Sequence, residues 1–212
     1  GLIAEHARGK PGDTAYRAKK LGLYRERNWH DYAAAVGRHA LALQSLGLSK
    51  GDRVAIMGDA CEEWVLCDMG AQAAGAIVYG IYPTASVSEV EFQMKDGGAS
   101  IFIAEDQEYV DKILQAADRL PDLKWILVID DSAMFDYRHP KLKSLSEILA
   151  AAPQDDEACI KALEAMTAKL KPEDPAFIVY TSGTTGNPKG ALISHGKHLA
   201  GTYTIADHYP TL

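Results

Sequence analysis

Four short apolar runs recur along the chain: 53–58 (Arg-Val-Ala-Ile-Met-Gly), 76–82 (Ala-Ile-Val-Tyr-Gly-Ile-Tyr), 100–104 (Ser-Ile-Phe-Ile-Ala) and 125–129 (Trp-Ile-Leu-Val-Ile). A strand with one wet face alternates apolar and polar residues; a run without alternation is a strand covered on both faces. The segments between the runs carry helix signals. Asp59-Ala60-Cys61-Glu62 and Ser86-Val87-Ser88-Glu89 both have the form of a capping box, in which a short polar side chain and a glutamate three residues on satisfy each other's backbone N–H groups. The second of these helices ends at Gly97-Gly98, and another, over about 107–120, is stopped by Pro121. Buried strands alternating with capped helices predict an α/β fold: a layered, mostly parallel sheet flanked by helices.

The flanking regions follow different patterns. Tyr32, Val36, Ala40, Leu43 and Leu46 recur at helical spacing between Asp31, placed as a cap, and Gly47, which predicts a helix over about 31–46. The stretch before Trp29 is polar, with residues 23–29 read as a hairpin strand feeding that helix. Residues 130–175 break the rhythm and read as a connector with its own helices, one opened by Asp155-Asp156-Glu157 and closed by Lys169, Lys171 and Pro172. The sheet resumes at Ala176-Phe177-Ile178-Val179-Tyr180, followed by a polar loop, a short strand at 191–193 and a helix from about 196. The expected division is therefore 1–175, an α/β part with its connector, and 176–212, a strand, loop, strand and helix.

Charge bounds the partners. Lys and Arg number 22 and Asp and Glu 29, a net charge of −7, which argues against broad electrostatic capture of nucleic acid or anionic lipid and requires any phosphate recognition to be local. Cys61, Cys67 and Cys159 form no CxxC pair and read as reduced thiols of a cytosolic protein, without a metal site. No run of 18 apolar residues occurs, so no membrane span is expected, and the N-terminus lacks the form of a signal peptide. Gly1 reads as the edge of a longer chain.

The stretch that carries chemistry is Tyr180-Thr181-Ser182-Gly183-Thr184-Thr185-Gly186-Asn187-Pro188-Lys189-Gly190. It lies between two apolar strands, at the carboxyl end of the first, where open α/β sheets bind ligands. Glycines let backbone N–H groups approach a polyphosphate, the hydroxyls of Thr181, Ser182, Thr184 and Thr185 donate hydrogen bonds, and Lys189 supplies a cation. A Walker A loop needs Gly-Lys-Ser/Thr, but Pro188 precedes Lys189 and Gly190 follows it. The dinucleotide fingerprint fails too, because Gly183, Gly186 and Gly190 are spaced differently. A flexible linker of this composition seldom joins two buried strands.

This string resembles the phosphate-binding signature of the AMP-forming acyl-CoA synthetase, adenylation-domain and luciferase superfamily. Asn28-Trp29, Gly51-Asp52-Arg53-Val54-Ala55-Ile56 and Ala191-Leu192-Ile193-Ser194-His195 resemble further parts of it, and Gly80-Ile81-Tyr82-Pro83-Thr84 resembles the form in long-chain fatty acyl-CoA synthetases. Gly196-Lys197 stands where the family commonly has Arg-Asn. The resemblance implies the partial N-terminal domain of the adenylate-forming fold and a ligase using ATP, Mg2+ and coenzyme A, with a fatty acid as the expected carboxylate. It places Thr181, Ser182, Gly183, Thr184, Thr185, Gly186, Asn187, Pro188 and Lys189 on the ATP phosphates, with His195 a substrate-side candidate. The family's adenine motif, ribose Asp and catalytic Lys have no counterpart in the sequence. The chain is therefore expected to be an N-terminal portion, inactive alone, partnered by the missing C-terminal part of the same chain, and able to pair as a homodimer over the cut sheet. An amino-acid or aryl-acid adenylating domain and a non-catalytic nucleotide-binding module are the alternatives. The expected location is the cytoplasm, with peripheral membrane association for a full-length form.

Other residues have plain readings. Glu62-Glu63 and Asp155-Asp156 suit the helix dipole, Trp64, Met69 and Trp125 have core spacing, and the Lys141-Leu142-Lys143 and Lys169-Leu170-Lys171 clusters read as solvated faces.

Overall fold

The structure, a computed structural model, describes residues 1–181 and 188–208. The chain opens with helix α1 (Leu2–Gly9) and a hairpin of β1 (Thr14–Lys20) and β2 (Leu23–Asn28) that forms a small antiparallel sheet of its own. Helix α2 (Trp29–Ser45) follows directly. Its cap is Asn28, whose Oδ1 accepts from the Asp31 N–H at 2.8 Å. Asp31 therefore sits in the first turn, where its charge favours the helix N-terminus, instead of capping.

The main sheet has seven strands in the order β7-β6-β5-β3-β4-β8-β9. These are β3 (Arg53–Met57), β4 (Ile77–Ile81), β5 (Ile101–Ala104), β6 (Trp125–Val128), β7 (Leu142–Ser144), β8 (Pro175–Thr181) and β9 (Lys189–Ser194). All neighbours pair in parallel except β8 and β9, which form an antiparallel ladder. The expected α/β architecture, a mostly parallel sheet flanked by helices, is borne out.

Connecting helices α3 (Glu62–Ala73), α4 (Val87–Gly97) and α5 (Gln107–Leu114) cover both sides. The step from β3 to β4 runs one way along the sheet, and the steps to β5 and β6 run the other. Right-handed crossovers then put α3 on one face and α4 and α5 on the opposite one. The cores follow this arrangement. Val54, Ile56, Val78, Ile101 and Ile103 pack with α1, α2, α3 and the later helices α6 (Leu145–Ala151) and α7 (Asp156–Thr167). Their strand neighbours Ala55, Met57, Tyr79, Phe102 and Ala104 pack with α4 and α5. Both sets are apolar, which is why the runs do not alternate.

Ser86 and Glu89 form the expected capping box, and Gly98 closes α4 in the left-handed conformation at φ 61°. At α3 the cap is Cys61, whose Sγ accepts from the Trp64 N–H at 3.4 Å, while the Asp59 N–H donates to Glu105 Oε2 at 2.5 Å. Helix α5 is shorter than the pattern suggested and gives way to a 3₁₀ turn at Ala117–Arg119. The 130–175 stretch is more than a connector: β7 inside it adds an edge strand to the sheet beside β6. Three residues, Leu-Lys-Ser, are too few and too polar to register as a strand in a sequence. Helix α8 (His195–His208) completes the chain.

Candidate functional site

Strand β3 is the switch point of the sheet, because its two neighbours β4 and β5 are reached by crossovers on opposite faces. Such a switch leaves a crevice at the carboxyl ends of the strands. From there a groove of ≈ 470 Å³ runs over β4 and β8 on the α3 side, walled by Trp64, Asp68 and Gln72 of α3, floored by Gly80, Phe177 and Val179, and closed by His198 of α8. Trp64 packs closely over Gly80 at the floor of the groove, where a Cβ would meet its ring at 3.3 Å. Trp64 and Met69 are thus only partly buried, and both face this space.

Among the described residues Asp68 is the one carboxylate on its wall. Burial pushes its carboxyl up to about 6, against the opposing pull of the Gln72 amide, which donates to Oδ1 at 2.7 Å, and of His198. Its sequence signal is weak but real: Asp68 falls four residues after Trp64, on the same side of α3. His198 meets Phe177 edge to face at 5.0 Å between centroids.

Strand β8 carries the polar loop at its carboxyl end, and its last buried residue is anchored. The Tyr180 hydroxyl donates to Asp96 Oδ2 of α4 at 2.8 Å, and its ring packs edge-on against Tyr79 at 5.5 Å. Burial and the Asp96 carboxylate both push the phenol upward, so it stays a neutral donor. One residue on, Thr181 lies directly opposite Lys189 in the ladder, and both are exposed. Pro188 adjoins Lys189 and is half-buried. Ser182, Gly183, Thr184, Thr185, Gly186 and Asn187 lie outside the described residues. The hydroxyl of Thr181 and the ammonium of Lys189 therefore flank one short loop at the carboxyl edge.

His195 is not brought to them. It begins α8 just after the far end of β9, and a six-residue strand spans roughly 20 Å. Its N–H donates to the Asp174 carbonyl at 3.1 Å. Its Nε2 is buried without a partner among the described residues, and burial lowers its pKa. The ring instead borders a second, apolar cavity of ≈ 450 Å³ among Leu2, Leu163, Leu170, Pro172 and Leu199. Among the described residues no group of three or more His, Cys, Asp or Glu could hold a metal ion.

The sequence matches the model of a family described as AMP-binding enzyme over residues 3–211. The chain belongs to the AMP-binding enzyme family. It is 29% identical over 211 residues to the long-chain-fatty-acid–CoA ligase FadD15 of Mycobacterium tuberculosis, a match covering 100% of this chain and 33% of that protein. To the long-chain-fatty-acid–CoA ligase ACSBG2 of Xenopus laevis it is 32% identical over 187 residues, covering 88% of this chain and 25% of the relative. The chain thus spans about a third or less of the length of these relatives. Among solved structures, the anthranilate CoA ligase AuaEII in complex with anthranoyl-AMP superposes with a TM-score of 0.74 at 25% identity, over 92% of this chain and 34% of that one. A putative long-chain-fatty-acid CoA ligase from Rhodopseudomonas palustris shares the fold with a TM-score of 0.78 at 23% identity, over 99% of this chain and 47% of the other. The resemblance drawn from the 180–190 string is thereby borne out at the level of the family. No helix of this AMP-binding chain, among its described residues, is long and apolar enough to cross a membrane.

Proposed function

We propose that this chain supplies the ATP-phosphate site of an AMP-forming carboxylate–CoA ligase whose acid is a fatty acid, working in the cytoplasm. The observation that carries this reading is the register of the β8–β9 ladder, which brings Thr181 and Lys189 to the two ends of one loop at the carboxyl edge of the sheet. In the proposed reaction an oxygen of the carboxylate attacks the α-phosphorus of ATP, the bond to the β-phosphate breaks, and acyl-adenylate and pyrophosphate form. The thiol of coenzyme A then attacks the acyl carbonyl and AMP leaves.

The chain's own contribution is positioning and charge neutralisation. Thr181, Ser182, Thr184 and Thr185 donate hydroxyl hydrogen bonds to the β- and γ-phosphates, Gly183 and Gly186 offer backbone N–H groups, and Lys189 balances charge that builds on the leaving pyrophosphate. Pro188 fixes one dihedral beside Lys189, and Asn187 completes the loop. Mg2+ would enter with the ATP phosphates and offset part of their negative charge. The fatty-acid assignment is supported by the relatives, which are named as long-chain-fatty-acid–CoA ligases.

The test is calorimetric titration of ATP and of pyrophosphate into the chain and into Lys189→Ala. Binding weakened about tenfold or more in the variant is expected for a lost charge-assisted contact. Equal binding overturns the role of Lys189, and no binding to the unmodified chain overturns the phosphate site. With the chain alone, carboxylate-dependent ATP–pyrophosphate exchange is expected to be absent.

A further inference from the structure

The β1–β2 hairpin turns through two residues, Leu21 and Gly22, with φ of 50° and 81°. Two consecutive positive φ values are the mark of the type I′ connection, which favours Asn, Asp or Gly because a larger side chain strains the left-handed backbone. Leu21 is the only non-glycine with positive φ among the described residues. It gains nothing by packing, since it is 94% exposed, and Leu23 and Tyr24 beside it are 70% and 68% exposed. A strained position holding a bare leucine points to something outside the chain.

The charge around this tip runs against the rest of the molecule. Residues 14–28 hold Arg17, Lys19, Lys20, Arg25 and Arg27 against the single acid Glu26, a local net charge of +4 in a chain of −7. Arg17 pairs with Glu26, Arg27 with Glu62, and Lys20 lies 3.7 Å from Glu63 and also faces Asp130. Lys19 and Arg25 have no carboxylate partner among the described residues, and Lys19 rests over the Tyr24 ring at 5.7 Å. The whole-chain charge argues against anionic surfaces, but fields are screened within about 8 Å at physiological salt, so the tip presents its own sign.

We propose that this hairpin tip docks on an anionic lipid surface, with Leu21, Leu23 and Tyr24 entering the interface and Lys19 and Arg25 meeting the headgroup phosphates. A lipid surface fits better than nucleic acid because the leading side chains are leucines, which gain from hydrocarbon and offer a base neither stacking nor hydrogen bonds. The docking does not depend on the ligase reading.

Sedimentation with phosphatidylcholine vesicles, with and without phosphatidylserine, tests it. The unmodified chain is expected to sediment with the phosphatidylserine vesicles and to release in high salt. Leu21→Asn keeps a residue suited to the turn, so its melting temperature should hold or rise while vesicle binding falls about tenfold, the loss expected for one leucine side chain. Lys19→Glu with Arg25→Glu should abolish the preference for phosphatidylserine. No sedimentation of the unmodified chain, or equal binding by Leu21→Asn, overturns the proposal. So does binding to a single-stranded oligonucleotide without binding to vesicles.

Discussion

Gly190 lies directly opposite Tyr180 in the β8–β9 ladder, and the tyrosine ring and Ile178 fill the space a side chain at position 190 would need. A Cβ on Gly190 would stand 3.3 Å from the ring and 2.8 Å from Ile178 Cγ2. This glycine, at the end of the 180–190 string, thus has a packing reason of its own. Gly190→Ala is expected to destabilise the fold by about 1–3 kcal/mol through overpacking, read from urea denaturation. Tyr180→Phe, which removes the bond to Asp96, should cost about 1 kcal/mol in the same measurement.

Asp68 gives a pH signature. Its folded-state pKa of about 6 lies above the ordinary value of 3.8, so folding favours the protonated form. The contribution is full below pH 3.8 and is lost as pH rises through about 6. Stability of the unmodified chain relative to Asp68→Asn should therefore fall by about 1–3 kcal/mol between acid and neutral pH, measured by denaturation of both proteins across that range. Curves that run parallel would refute the burial of this carboxyl.

Close helix packing makes a second glycine irreplaceable. A Cβ on Gly37 of α2 would overlap the backbone carbonyl of Cys159 in α7, and backbone cannot swing aside as a side chain can. Gly37→Ala would raise helix propensity in isolation, yet it is expected to lower the melting midpoint by several degrees, with a cost of about 3 kcal/mol.

The hairpin is fastened to α3 through Glu62, which accepts from the Tyr16 hydroxyl at 2.8 Å and from Arg27 Nε at 2.7 Å. Burial raises the Glu62 pKa, but Arg27 and Tyr16 outweigh it and hold the carboxyl below its usual range. A lowered carboxyl pKa stabilises above the unfolded value and loses that contribution as pH falls through the folded one. Glu62→Gln should therefore cost about 1–2 kcal/mol at neutral pH and little in acid, and should speed hydrogen exchange in β1 and β2.

Part of the fold was legible because its signals are local. The capping box at Ser86 and Glu89 spans three residues, and the unbroken runs of β3, β5 and β6 report burial on both faces directly. The signals that misled were local too. Asp59 and Asp31 both look like caps, but Cys61 and Asn28 occupy the extended backbone position that capping needs. Glu62 and Asp156 look like dipole partners, yet each also receives an arginine, Arg27 and Arg38, from a distant element. Lys143, read as solvated, lies over the Trp125 ring at 4.9 Å.

The sequence by itself determined the buried strands β3 to β6 and β8, the helices between them and the 180–190 string, because each is written in contiguous residues whose backbone preferences and burial act over a few positions. Tertiary structure alone decided that β3 lies between β4 and β5, that β7 joins the edge, and that Thr181 meets Lys189 while His195 is carried to the opposite side. Those outcomes depend on contacts between residues far apart in the chain, set by crossover handedness and by which apolar faces can be covered together, and no short-range spacing encodes them.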